Sequence, residues 1–168
     1  ERGYDLDKVT DIAQAVNDNM RSMGLALGPC TVPHAGEPSF DLGDNEVEMG
    51  IGIHGEPGYR RTEMKPADEL ATELYAKVRE DLPFKAGDDV IVLVNGMGGT
   101  PLSELYIVNR KIQELLKADE INAVRTLVGN YVTSLEMPGA SLTLLRLQDE
   151  MLELFDAPVN TPAYRKGM

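Results

Sequence analysis

The run Val90-Ile91-Val92-Leu93-Val94 narrows the choice of fold more than any other stretch of this sequence. It carries no apolar/polar alternation, so a strand built from it is central and covered on both sides, or lies inside a layered fold. Asn95-Gly96-Met97-Gly98-Gly99 closes the run. A helix should follow, with Thr100 as N-cap, Pro101 at the first helical position, and Leu105, Val108, Ile112, Leu115 and Leu116 at helical spacing to near Lys117.

The other elements arrange themselves around that strand. From Asp5 to near Met23, the spacing of Val9, Ile12, Ala13, Val16 and Met20 predicts an amphipathic helix. Gly24 to Gly28 reads as a strand leaving into a loop at Pro29, and His34 to Asn45 has the Gly, Pro and acid content of a surface loop. Val47 to Ile53 reads as a strand running straight into the turn His54-Gly55-Glu56-Pro57-Gly58. Pro66 opens a second helix, with Asp68 and Glu69 in its first turn and a stripe of Leu70, Ala71, Leu74, Val78 and Leu82. Val124 to Val132 and Ser141 to Leu147, separated by Met137-Pro138-Gly139, read as a hairpin or a pair of neighbouring strands. Gln148 to Phe155 gives a last helix, and the tail from Ala157 to Pro162 is extended. The expected fold class is α+β with mixed α/β layers: one sheet of about five strands packed with about four helices. A chain of 168 residues is expected to bury one core, hence one domain.

Composition removes several functions. Asp and Glu number 28 against 16 for Lys and Arg, a net charge of −12 that repels nucleic-acid phosphates and anionic lipid. No apolar run has the length of a membrane span, and Glu1-Arg2-Gly3-Tyr4-Asp5 lacks the basic and apolar regions of a secretory signal, so a cytoplasmic location is expected. Cys30 is the single cysteine, read as a small buried hydrophobe in a reducing compartment. A chain opening on Glu1 rather than Met is expected to be a piece of something longer.

The candidate chemistry is sparse. His34 and His54 are the two histidines, and C-x-x-C and H-E-x-x-H spacings are absent, so no metal site is expected. His54, between Gly52 and Gly55, has room to present its ring nitrogens to a small ligand; a loop histidine bonded to a backbone carbonyl is the plainer reading. Asn95 to Pro101 has the layout of a loop that offers backbone N–H groups to an anion, or of a tight connection; it has neither a Walker ending nor G-x-G-x-x-G spacing. Arg60, Arg61 and Lys65 form a basic island that suits a phosphorylated ligand, an acidic partner or merely solvent.

Five separated motifs point further. Ala26-Leu27-Gly28-Pro29-Cys30-Thr31-Val32-Pro33 comes first, then Gly50-Ile51-Gly52-Ile53-His54-Gly55-Glu56-Pro57-Gly58 with Arg60-Arg61. Leu93 to Tyr106, Leu127 to Met137, and Asp156-Ala157-Pro158-Val159-Asn160-Thr161-Pro162 follow in order. Together they resemble the second, C-terminal domain of the dihydroxyacetone kinase substrate-binding subunit, over roughly Leu25 to Tyr164. The resemblance implies that residues 1–168 are that domain and that the preceding domain, with its G-G-G-S-G-H-E-P segment and general base, is absent from this chain.

By the same resemblance, His54 is both the catalytic and the substrate-binding residue: its imidazole adds to the ketone of dihydroxyacetone to give a hemiaminal. Glycerol, which has no carbonyl, is thereby refused. The implied activity is that of a phosphotransferase, a dihydroxyacetone kinase dependent on the phosphoenolpyruvate phosphotransferase system, with this domain inactive alone. No cofactor is expected in this chain; ADP or ATP with magnesium belongs to a nucleotide-binding partner subunit. A homodimer is implied as well. Two competing expectations are a non-catalytic dihydroxyacetone sensor acting on a transcription regulator, and the sugar-binding half of an ATP-dependent single-chain kinase. Nothing in the resemblance gives His34 a role.

Overall fold

The computed structural model describes residues 2–167. Glu1, on which the expectation of an excised piece rests, lies outside the described residues. In chain order the elements are α1 (Leu6–Asp18), β1 (Met20–Ala26), β2 (Glu46–Met49), β3 (Arg60–Glu63), α2 (Ala67–Asp81) and β4 (Asp89–Gly96). They continue with α3 (Leu102–Ala118), β5 (Asn122–Gly129), β6 (Gly139–Arg146), α4 (Met151–Asp156), β7 (Val159–Asn160) and β8 (Arg165–Lys166). Six strands form one sheet in the order β3-β2-β1-β6-β4-β5, and β7 and β8 make a separate short ribbon. Only β4 and β5, linked through α3, run parallel; every other pair is antiparallel.

Register decides which side chains meet. Met23, Leu142, Val94 and Val128 fall in one row across β1, β6, β4 and β5, on the face that α2 and α3 cover. Val90, Val92, Val94, Leu142 and Leu144 are fully buried there against Leu74, Val78, Leu105, Ile112 and Leu116 of the two helices. Each such side chain withdrawn from water stabilises the fold by about 1.5–3 kcal/mol, which makes this layer the main source of stability. One residue along, Gly24, Ser141, Asn95 and Gly129 form the corresponding row on the opposite face. Among the described residues no helix is pressed onto that row, and a second, smaller cluster of Ala26, Cys30, Ile51, Met97 and Met137 sits at its end.

The mixed α/β class is as the sequence implied, with one strand more than expected in the main sheet. The extra strand is β3, whose Arg60-Arg61-Thr62-Glu63 has the charged composition of an edge strand rather than of a core one. The first helix is shorter than its apolar spacing predicts. It stops at Asp18 because Asn19 turns inward: its side-chain amide donates to the Ala15 carbonyl, while its Oδ1 accepts from Arg146 and Gln148. Met20 therefore begins β1 instead of prolonging the helical stripe.

Three further expectations change. β5 and β6 are neither a hairpin nor neighbours, because β4 lies between them. Thr100 does not cap α3: Pro101 occupies that position, and the Thr100 hydroxyl donates to the Gly139 carbonyl and accepts the Gly139 N–H. Pro66 likewise stands just outside α2. Among the described residues no helix is long and apolar enough to cross a membrane.

Candidate active site

The strand expected to end at Ile53 ends at Met49. Gly50 turns the chain at φ +85°, and its N–H donates to the Gly24 carbonyl. His54 thus stands on the connection between β2 and β3, not at the mouth of a strand. That connection is closed by its own backbone: Gly52 N–H donates to Glu56 O, Gly55 N–H to Gly52 O, and Tyr59 N–H to Met49 O. Its far end is pinned by Glu48, a carboxylate only 6% exposed, which accepts the Gly58 N–H at 2.9 Å and Arg61 Nε at 2.7 Å. Burying that acid costs little because both oxygens have donors.

Within the turn, His54 projects into solvent, its side chain 79% exposed. Its Nδ1 lies 2.8 Å from Glu56 Oε1, and its backbone N–H donates to Glu56 Oε2 at 3.0 Å. Glu56 can tuck back this far because residue 52 is glycine. A Cβ there would stand 2.0 Å from Glu56 Oε2. The Glu56 carboxyl is held below the usual range, first by its own backbone N–H and then by the His54 ring and N–H.

Gly52 and Ile53, just before His54, line a groove of about 280 Å³ on the sheet face opposite α2 and α3, together with Gly24, Asn95, Met97 and Ser141. Asn95, 2% exposed at the end of β4, organises its far wall. Its Oδ1 accepts the N–H groups of Tyr131 and Val132 at 2.9 and 2.8 Å, and its Nδ2 donates to the Val132 carbonyl at 2.7 Å. The opposite face has a more apolar slot of about 200 Å³ between α2 and α3, lined by Leu25, Leu70, Leu74, Val108 and Ala140. Its polar side chains are those of Thr100, whose hydroxyl is engaged with Gly139, and Glu104.

The glycine-rich loop after β4 is a tight connection. Met97 N–H donates to Gly139 O, Gly99 N–H to Met137 O, and Gly98 N–H to Asn130 Oδ1, so none of the three is left to hold an anion. Gly98 has φ +114°, and a Cβ there would sit 1.8 Å from the Leu135 carbonyl oxygen. The basic island is also spoken for: Arg60 pairs with Glu73, Arg61 with Glu48, and Lys65 with Glu73. Cys30 is buried, its Sγ 3.4 Å from Ser39 Oγ and 3.5 Å from Ser134 Oγ, as a core residue would be. His34 lies exposed in the surface loop. Among the described residues no three His, Cys, Asp or Glu side chains gather as metal ligands.

The structure therefore brings the base of the His54 turn and the end of β4 to one groove, and leaves His34 and the basic island outside it. Glu56, Glu48 and Asn95 escaped the sequence reading. For Glu56 the signal was present in the His-Gly-Glu spacing, since a glycine between two polar residues lets the chain fold one onto the other.

Known proteins resemble this arrangement throughout the chain. The Dak1 domain family matches residues 1–163. The "PTS-dependent dihydroxyacetone kinase 1, dihydroxyacetone-binding subunit DhaK" of Listeria innocua is 47% identical over 98% of this chain and 50% of its own length. Among solved structures, the "Dihydroxyacetone kinase operon co-activator Dha-DhaQ" superposes with TM-score 0.87 at 36% identity, over 93% of this chain and 49% of that one. The dihydroxyacetone kinase from C. freundii in complex with AMP-PNP and Mg2+ superposes with TM-score 0.82 at 28% identity, over 99% of this chain and 30% of that one. The chain spans about half the length, or less, of the curated relatives it matches.

Proposed function

The chain belongs to the Dak1 domain family, and from that premise we propose that it is the dihydroxyacetone-anchoring, C-terminal domain of a dihydroxyacetone kinase substrate-binding subunit. His54 is the anchor. The observation that carries this reading is the placement of its ring, projecting into solvent from a turn whose base lines the groove on the sheet face opposite α2 and α3. A neutral imidazole has one nitrogen lone pair free. The lone pair adds to the ketone carbon, and the reversible adduct fixes the terminal hydroxyls in one orientation. Phosphoryl transfer needs little more from this side than an in-line hydroxyl held still.

The preceding domain supplies the general base and further substrate contacts, so this domain alone is inactive. The nucleotide with its magnesium belongs to the partner subunit. In the loop between β4 and α3, where such a group would be sought here, Met97, Gly98 and Gly99 have spent their backbone N–H groups internally, which supports that division. The phosphoryl group comes by way of the phosphoenolpyruvate phosphotransferase system, as the name of the Listeria innocua relative suggests. The subunit works as a homodimer, as the family resemblance implies, in the cytoplasm.

The test is to mix [2-13C]dihydroxyacetone with the longest natural chain carrying this sequence and follow the labelled carbon by NMR. Adduct formation moves the carbonyl resonance into the sp3 region, and His54→Ala abolishes the change. Undiminished adduct in that variant refutes the anchor.

A second reading has its own observation. The likeness to the operon co-activator supports reading the chain as a ketone sensor that docks on a transcription regulator, with the same histidine adduct and no turnover. The kinase with AMP-PNP favours a third, the sugar-binding half of an ATP-dependent single-chain enzyme. A phosphotransfer assay with a nucleotide-binding subunit, with and without added ATP, separates the three.

A further inference from the structure

We infer that Glu56 is a positioning residue that keeps the proton of neutral His54 on Nδ1 and so makes Nε2 the nitrogen that meets the ketone. This rests on the reading of His54 as the anchor. The argument begins with what a carboxylate can do: ionised, it accepts hydrogen bonds and donates none. With Oε1 2.8 Å from Nδ1, the ring nitrogen in that contact must carry hydrogen, and the lone pair falls to Nε2 at the outer end of the ring. The other oxygen is occupied by the His54 backbone N–H at 3.0 Å, so the carboxylate is held at two points and cannot swing away cheaply. Gly52 leaves room for it. The depressed proton affinity of Glu56 agrees, since it keeps the acceptor charged at neutral pH.

The choice of nitrogen has chemical weight. Free histidine favours the opposite tautomer, with hydrogen on Nε2 and the lone pair on Nδ1, next to the backbone and shielded by it. Glu56 reverses that preference. As the Nε2 lone pair forms the carbon–nitrogen bond, the carbonyl π pair moves to oxygen and the ring becomes a cation. The Glu56 charge faces that cation across the Nδ1–H. Departure of the Nδ1 proton and protonation of the alkoxide by water complete the neutral hemiaminal; the sum is addition of N–H across C=O, with no oxidation or reduction.

A merely structural Glu56 would brace the turn without setting the ring, and the two roles separate by spectroscopy. In 15N-labelled protein, the longest natural chain carrying this sequence, two-bond proton–nitrogen spectra of neutral His54 without ligand should show the Nδ1–H form. Glu56→Ala should turn it to the Nε2–H form. The adduct with [2-13C]dihydroxyacetone should weaken by about tenfold or more, as expected when a charge-assisted hydrogen bond is removed. Glu56→Gln keeps an oxygen acceptor without the charge and should fall between the two, which guards against a turn that has simply come apart. An Nδ1–H signature that survives Glu56→Ala overturns the inference, as does undiminished adduct in that variant. Should wild-type protein form no adduct while Glu56→Ala still flips the tautomer, the anchor reading falls and the tautomer assignment stands.

Discussion

Along β4, Val90, Val92 and Val94 point under α2 and α3 and are fully buried, whereas Leu93 and Asn95, on the other side of the same strand, line a groove beside the His54 turn. The contrast extends to the helices. α2 buries Leu70, Ala71, Leu74, Tyr75 and Val78 and α3 buries Leu105, Ile112 and Leu116, while α1 buries nothing and is tied to the start of α4 by Lys8–Glu150 and Tyr4–Glu150 contacts. One half is cemented by apolar area; the other is joined by hydrogen bonds and charge. Stability is concentrated on the helix side of the sheet, which leaves the groove and its turn free to carry polar groups that a core would exclude.

The comparison breaks most easily at its strongest point. Leu142→Ala, on the covered face of β6, should cost about 2–5 kcal/mol in denaturant unfolding, whereas its neighbour Thr143→Ala, on the groove side, should cost about 1 kcal/mol or less. Equal costs would mean that the second face is packed after all. Next comes Asn95→Ala. It strips the acceptor from the Tyr131 and Val132 N–H groups and should cost about 1–3 kcal/mol. Hydrogen exchange should quicken around residues 130–135 while α2 and α3 keep their protection; a loss spread evenly over both halves would contradict the division.

The smallest effect is one of acidity. Arg125 and Lys166 hold the Asp156 carboxyl down to about 2 from its ordinary 3.8. Because the folded value is depressed, the stabilisation is present above about pH 4 and lost as pH falls toward 2. Asp156→Asn should therefore flatten the dependence of Tm on pH in that window, with no matching change above it. High salt should blunt the wild-type slope as well, since these charges are solvent-accessible. A variant that retains the full slope would place the acid sensitivity elsewhere.

What could be read from the sequence divides along the same line. β4, α2 and α3 announce themselves because apolar burial writes a period into their residues. β1 hides behind Met20, which continues the helical spacing of Val16, and only the inward turn of Asn19 ends the helix; that turn depends on Arg146 and Gln148, over a hundred residues away. β3 has charged side chains and takes its strand form from pairing with β2. The strand order is invisible for the same reason: no local signal says that β6 enters between β1 and β4. His54 is singled out as the candidate by its flanking glycines and by the family likeness. The Glu48 clasp is not, because it depends on a chain reversal that brings Gly58 and Arg61 back to β2, whereas the Glu56 contact left its signal in the local His-Gly-Glu spacing.

That late insertion of β6 has a consequence for how the molecule is made. Until residues 139–146 leave the ribosome, β1 and β4 have each lost the neighbour that lies between them, and the nascent chain consists of two separate part-sheets, β1-β2-β3 and β4-β5. Each presents an edge of unpaired backbone N–H and C=O groups, the feature that invites mispairing between chains. A messenger truncated shortly before Gly139 thus encodes five of the six strands of the main sheet and none of the closure, and its product is a substrate for chaperones and proteases rather than a smaller version of the protein.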